Sequence, residues 1–171
     1  MDDRHRFSKV PADSIDLVEG LGVRGDAHAG PTVRHRYLAR RDPHTPNLRQ
    51  VHLLHQEFLD DIAGQGFDVP PGGLGENITT AGVDLLGLPA DSRLRLGEDA
   101  VVRVTGLRTP CPQIDDYQWG LQALCWDTDT AGNRQRRVGV MGVVEHGGTV
   151  RPGDEIGVMV PEGPHRKLRA V

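Results

Sequence analysis

A thiol, a carboxylate–imidazole pair and a glycine-rich turn are the groups in this chain equipped for chemistry. Cys111 stands between two prolines in Arg108-Thr109-Pro110-Cys111-Pro112. Those prolines fix φ and remove two N–H donors, so the segment can neither continue a sheet nor enter a helix interior. A thiol on such a corner is presented rather than packed away. Arg108, three residues earlier, favours the thiolate, the form that binds metals and carries sulfur. The plainer alternative is a small apolar cysteine that fills space, the usual fate of a free cysteine. Local sequence leaves both open.

The second group is Gly25-Asp26-Ala27-His28-Ala29-Gly30, which sets a carboxylate and an imidazole on a flexible loop. It suits a metal site, an acid–base pair or ligand hydrogen bonding. A turn whose Asp bonds its own backbone is the plainer reading. The third is Gly72-Gly73-Leu74-Gly75-Glu76-Asn77-Ile78. Its glycines permit positive φ and close backbone approach to a ligand, with Glu76 and Asn77 placed to read a polar heterocycle, although a tight turn before a strand would look the same. It lacks the Lys-Ser/Thr ending of a phosphate-binding P-loop. No Gly-x-Ser-x-Gly elbow and no CxxC pair occurs, and Cys125 reads as a core residue.

These groups must be held by one domain of 171 residues, long enough to bury a core without staples. A net charge of -4 gives no global basic footprint for nucleic acid. Basic residues do cluster locally, as Arg34, Arg36, Arg40, Arg41 and Arg49, and again as Arg134, Arg136 and Arg137; such groups bind a phosphate or form solvated loop faces. No apolar run approaches the roughly 20 residues of a membrane span, the N-terminus lacks a secretory apolar core, and two cysteines do not make a disulfide framework. The expected compartment is the cytoplasm.

Short strands are expected at 14–18, 51–54 and 76–80. The alternation in Arg93-Leu94-Arg95-Leu96 and in Val102, Val104 and Leu107 forms a hairpin about Gly97. Leu54, Phe58, Leu59 and Ile62 recur at helical spacing before Gly64 and Gly66, and a short helix is expected around Leu121, Leu124 and Cys125. The apolar run 138–144 suits a strand buried on both faces. A last strand ends near Val160, and the polar tail after Pro161 should fray. Residues 25–50 read as a long loop. Many short strands joined by Gly/Pro turns, with one or two short helices, predict a mainly β fold closed into a β-barrel.

Taken in order, Leu21-Gly22-Val23-Arg24-Gly25-Asp26-Ala27-His28-Ala29-Gly30, Gly75-Glu76-Asn77-Ile78-Thr79, the Arg-Leu-Arg-Leu-Gly hairpin from Arg93, Arg108-Thr109-Pro110-Cys111, and Val150-Arg151-Pro152-Gly153-Asp154 resemble the MOSC domain. That is the C-terminal domain of molybdenum cofactor sulfurases, found also as small stand-alone bacterial proteins. The resemblance runs from about residue 15 to 160 and implies a barrel related to the pyruvate kinase β-barrel domain. It implies binding of the molybdenum cofactor (molybdopterin), with Cys111 as sulfur carrier or molybdenum ligand. Arg108, Asp26, His28, Gly75, Glu76 and Asn77 would line the pocket by motif position. Arg24 or the Arg34–Arg41 group would meet the cofactor's phosphate.

Full sulfurases also carry a pyridoxal-phosphate domain, for which this length leaves no room, so no pyridoxal phosphate site is expected here. The leading expectation is an oxidoreductase component that reduces N-hydroxylated compounds, with Cys111 on molybdenum and electrons from a separate donor protein. The alternatives are a non-catalytic carrier that passes sulfur, as a Cys111 persulfide, or the cofactor to an accepting enzyme, and a metal-dependent hydrolase using Asp26 and His28. No nucleic-acid or membrane partner is expected.

Overall fold

The computed structural model describes residues 7–32 and 44–171. Alternation builds its central hairpin. Arg93–Leu96 (β5) and Ala100–Leu107 (β6) bury every second side chain, and Gly97 makes the turn at φ +65°. Leu94 faces Val102 and Leu96 faces Ala100 in the register, each at most 1% exposed.

Around this hairpin run Val140–His146 (β9), Val51–His55 (β3), Ile78–Thr80 (β4) and Ile156–Met159 (β11), giving a six-stranded sheet in the order β11-β5-β6-β9-β3-β4. Every pairing is antiparallel except β3 with β4. That parallel pair needs a crossover, and the helix Gln56–Gly64 (α1) lies within it. A separate three-stranded sheet is formed by Gly148–Val150 (β10), Ile15–Val18 (β1) and Gly22–Val23 (β2). Leu17, Val23 and Val150 join Leu53, Leu94 and Val102 in one core. A second core gathers Leu54, Phe58 and Ile62 with Leu74, Ile114, Leu121, Cys125 and Val138.

The fold is mainly β, as expected, but the barrel does not close. The six-stranded sheet curls part of the way round and ends at β4 and β11, which do not pair. Its interior is covered instead by β1 and β10 and by the stretch 81–91, which sends Val83, Leu85 and Leu88 into the core. Two short helices, Gln113–Tyr117 (α2) and Leu121–Leu124 (α3), follow Cys111, making three among the described residues. Trp126–Thr128 (β7) and Arg134–Arg136 (β8) form a further small hairpin.

Two more expectations are corrected. The 138–144 run alternates in burial rather than being covered on both faces. The tail is tied down: Leu107 N donates to the Arg169 carbonyl at 2.7 Å, Ala90 N to that of Arg166 at 2.8 Å, and Leu168 is buried. Among the described residues no helix is long and apolar enough to cross a membrane.

Candidate functional site

The Cys111 corner is made where β6 runs out. Arg108 N still donates to the Gly139 carbonyl at 3.1 Å, after which Pro110 is buried and the chain turns. The Cys111 carbonyl then accepts from Ile114 N at 3.1 Å, and that of Pro112 from Asp115 N at 2.9 Å, so Pro112 caps α2. Proline is tolerated there because no helical N–H is lost. Cys111 packs one side against the second core yet stays partly exposed. Its Sγ makes a weak 3.8 Å contact with Gln113 Oε1.

This thiol borders a cavity of about 160 Å3 whose walls include Lys9, His28, Arg49, Asn77 and Arg108. The cavity is cationic. Arg108 Nη1 is buried and has no hydrogen-bond partner among the described residues. Burial pushes the Arg108 guanidinium below its ordinary range, offset in part by Cys111, Cys125 and Glu76. Arg49 is shifted the same way, by burial and then by the charge of Arg108, while its Nη2 donates to the Val171 carbonyl. An anion would relieve both guanidinium groups.

The Asp26 loop anchors one wall. Asp26 Oδ1 accepts from His28 N at 2.9 Å and lies 3.3 Å from His28 Nδ1. Asp26 Oδ2 meets Lys9 Nζ at 2.8 Å and accepts from Asn77 Nδ2 at 2.9 Å. Burial alone would raise the Asp26 carboxyl, but the bond from His28 and the charge of Lys9 hold it well below the usual carboxylate range. Asn77 is tied to β3 as well, exchanging bonds with the His52 backbone through its side-chain Oδ1 and its own N–H. His52 in turn donates from Nε2 to the Val138 carbonyl at 2.8 Å.

The glycine turn is closed by its own carboxylate. The Glu76 carboxylate accepts from Gly72 N at 2.7 Å and Leu74 N at 3.1 Å, holding the turn closed. Gly72 and Gly75 have φ of +86° and +81°, and a Cβ on either would lie 2.5 Å from the carbonyl oxygen of Lys9 or Phe7. They admit residues 7–10 as a strap, which brings Lys9 to Asp26.

Of the residues singled out in the sequence, Cys111, Arg108, His28, Gly75 and Asn77 line one cavity, though Cys111 and His28 are far apart in the chain. Asp26 and Glu76 stand behind its wall and hold it. Arg24 is elsewhere, 70% exposed and 3.6 Å from Asp16. Arg34, Arg36, Arg40 and Arg41 lie outside the described residues. Arg134 covers the Trp126 ring, Arg136 donates to Thr109, and Arg137 pairs with Asp61. Lys9, Arg49 and His52 also line the cavity and were not legible as site residues. Only the basic cluster containing Arg49 gave any signal. Among the described residues no group of three or more His, Cys, Asp or Glu is placed to hold a metal ion.

Fold and site thus define a small, mainly β protein with a thiol at the mouth of a cationic cavity. The MOSC domain model matches residues 40–157, and the chain belongs to that family. No curated protein sequence matches it. Among solved structures, YuaD from Bacillus subtilis is 27% identical, with a TM-score of 0.74 over 95% of this chain and 93% of that one. YiiM from Escherichia coli shares the fold at 20% identity, with a TM-score of 0.62 over 92% of this chain and 68% of that one. YiiM from Geobacillus stearothermophilus gives 19% and 0.58, and the match spans 60% of its length.

Proposed function

We propose that this MOSC protein binds a molybdopterin-type cofactor against the Cys111 cavity and serves as the reducing component for N-hydroxylated compounds. The observation that carries this reading is the buried Nη1 of Arg108, unpartnered among the described residues, in a cavity that also holds Arg49, Lys9 and the Cys111 thiol. A dithiolene-phosphate cofactor is anionic and its metal accepts soft sulfur, so charge and donor type both suit it. Bound there, it would supply a two-electron redox centre.

The chain's own residues have distinct tasks. Cys111 offers a soft sulfur donor from a stiff corner. Arg108 and Arg49 balance negative charge, Arg49 being held by its bond to the Val171 carbonyl and Arg108 being buried directly after β6. Reducing an N–OH to N–H takes two electrons and two protons and releases water. The electrons come from a separate redox protein. His28, its Nδ1 set by Asp26 Oδ1, is the cavity residue suited to hand over a proton. Asp26 itself is committed to Lys9, Asn77 and His28, which argues against its use as a metal ligand in hydrolysis.

Purification from a cofactor-producing host tests the reading. Molybdenum and a pterin should copurify with the wild type, and the Cys111→Ser variant should lose the metal while keeping its fold. Absence of both from the wild type overturns the proposal. A labile mass increment of one sulfur on Cys111, without molybdenum, would assign the chain to sulfur carriage instead, which the partial exposure of that thiol also permits.

A further inference from the structure

The two unpaired ends of the six-stranded sheet face the same space. Ile78, Thr79 and Thr80 of β4 and Ile156 of β11 line one groove of about 690 Å3, together with Leu96 of β5 and Val150 of β10. Cys111 is not part of it. Lys9 and Asn77 line both this groove and the Cys111 cavity and so stand between them. The volume falls in the range of small-ligand sites, and the walls are largely apolar, as such sites are.

One polar atom of the lining is left unsatisfied among the described residues. Thr80 is 2% exposed, and its Oγ1 is buried with no hydrogen-bond partner among the described residues. A buried hydroxyl without a partner is unfavourable, and a ligand atom that bonds it recovers the loss. The charged groups near the groove are spent or balanced. Lys9 is paired with Asp26, and Glu76 holds the glycine turn. Arg151, Asp154 and Glu155 sit at the solvent rim, where Asp154 Oδ2 accepts from Arg151 N at 2.8 Å.

The geometry points to a second binding site in this groove, for a neutral, largely apolar small molecule carrying one hydrogen-bonding oxygen or nitrogen that reaches Thr80. The site does not rest on cofactor binding: Cys111, Arg49 and Arg108 are not among its walls, and the two sites share only Lys9 and Asn77 among the residues named for them.

The experiment uses 2-naphthol as probe and naphthalene, which lacks the oxygen, as its control, followed by methyl NMR on the wild type and on Cys111→Ser. In both proteins 2-naphthol should shift the methyls of Ile15, Ile78, Val150 and Ile156 saturably, and naphthalene should bind roughly five- to tenfold more weakly. Thr80→Val, which keeps the shape and removes the hydroxyl, should erase that difference. Ala81→Trp, at an exposed position on the groove wall, should block both probes without touching the core. The proposal is overturned if the shifts fall on other methyls, if Thr80→Val leaves the preference intact, or if Ala81→Trp binds as before. Concentration-dependent shifts of the same methyls without probe would overturn it too, giving the groove to a second copy of the chain.

Discussion

Lys9 and Asp26 form an ion pair 2.8 Å long whose side chains are only 7% and 2% exposed, joining the strap at residues 7–10 to the loop that carries His28. A buried pair of this kind is costly to break from one side, because the remaining charge is left without compensation. Lys9→Met should therefore cost about 3–5 kcal/mol in urea unfolding, and adding Asp26→Asn should recover much of that. The acid limb should respond as well. Asp26 has its carboxyl held low in the folded state, so its contribution is complete above about pH 4 and is lost as pH falls further. In Lys9→Met that acid loss should be smaller, because without the lysine the folded carboxyl is held less far below its unfolded value.

His52 gives a second pH signature at milder acidity. Its imidazole is buried beside the positive charge of Arg108, and both effects push its pKa well below the ordinary histidine value, outweighing the bond to Val138. The unfolded chain takes up a proton near pH 6.5 while the folded one does not. The stability this provides is complete above that value and falls below it, by up to about 1.4 kcal/mol per pH unit. Denaturation between pH 7 and 5 should show the slope, and His52→Gln should reduce it, leaving the part due to His55, whose pKa burial also lowers.

The two cysteines should behave as different reagents. Cys125 is 0% exposed in the second core, its Sγ donates to the Leu121 carbonyl, and burial pushes its thiol up to about 12. Cys111 is partly exposed. Iodoacetamide at pH 8 should label the folded protein once, at Cys111, and label both residues only after denaturation, as read by peptide mass mapping. Prompt native labelling of Cys125 would contradict this packing.

What the sequence disclosed depended on whether packing or isolated pairs do the holding. The β5–β6 hairpin and the α1 helix were legible because Leu94, Leu96, Val102, Val104, Phe58 and Ile62 bury one face at a regular period. The β7–β8 hairpin was not. Its strands carry no apolar alternation, and Arg134 stacked 4.2 Å over Trp126 helps hold it. The tail deceived for the same reason, since backbone bonds to Leu107 and the pairing of Arg166 with Asp91 anchor a polar stretch.

For the candidate site, motif chemistry singled out Cys111, Arg108, His28 and Asn77, which line one cavity. Lys9 was missed because nothing in its neighbourhood signals burial; its partner lies across the fold. For Glu76 the sequence left two roles open, since a carboxylate after glycines looks the same whether it reads a heterocycle or closes its own turn; its bonds to Gly72 N and Leu74 N show the second.

That turn supports a last prediction, which separates backbone strain from strap docking. Gly75 and Gly82 both have positive φ, +81° and +72°, but a Cβ meets the Phe7 carbonyl at 2.5 Å in the first case and nothing within 4 Å in the second. Gly82→Ala should cost only the conformational penalty, about 1–2 kcal/mol. Gly75→Ala must also move the strap, taking Lys9 away from Asp26 and from the Cys111 cavity. Trypsin under native conditions should then cut after Lys9 in Gly75→Ala but not in Gly82→Ala or the wild type, where that side chain is 7% exposed. Equal resistance in all three proteins would mean that the strap does not depend on the missing side chain of Gly75.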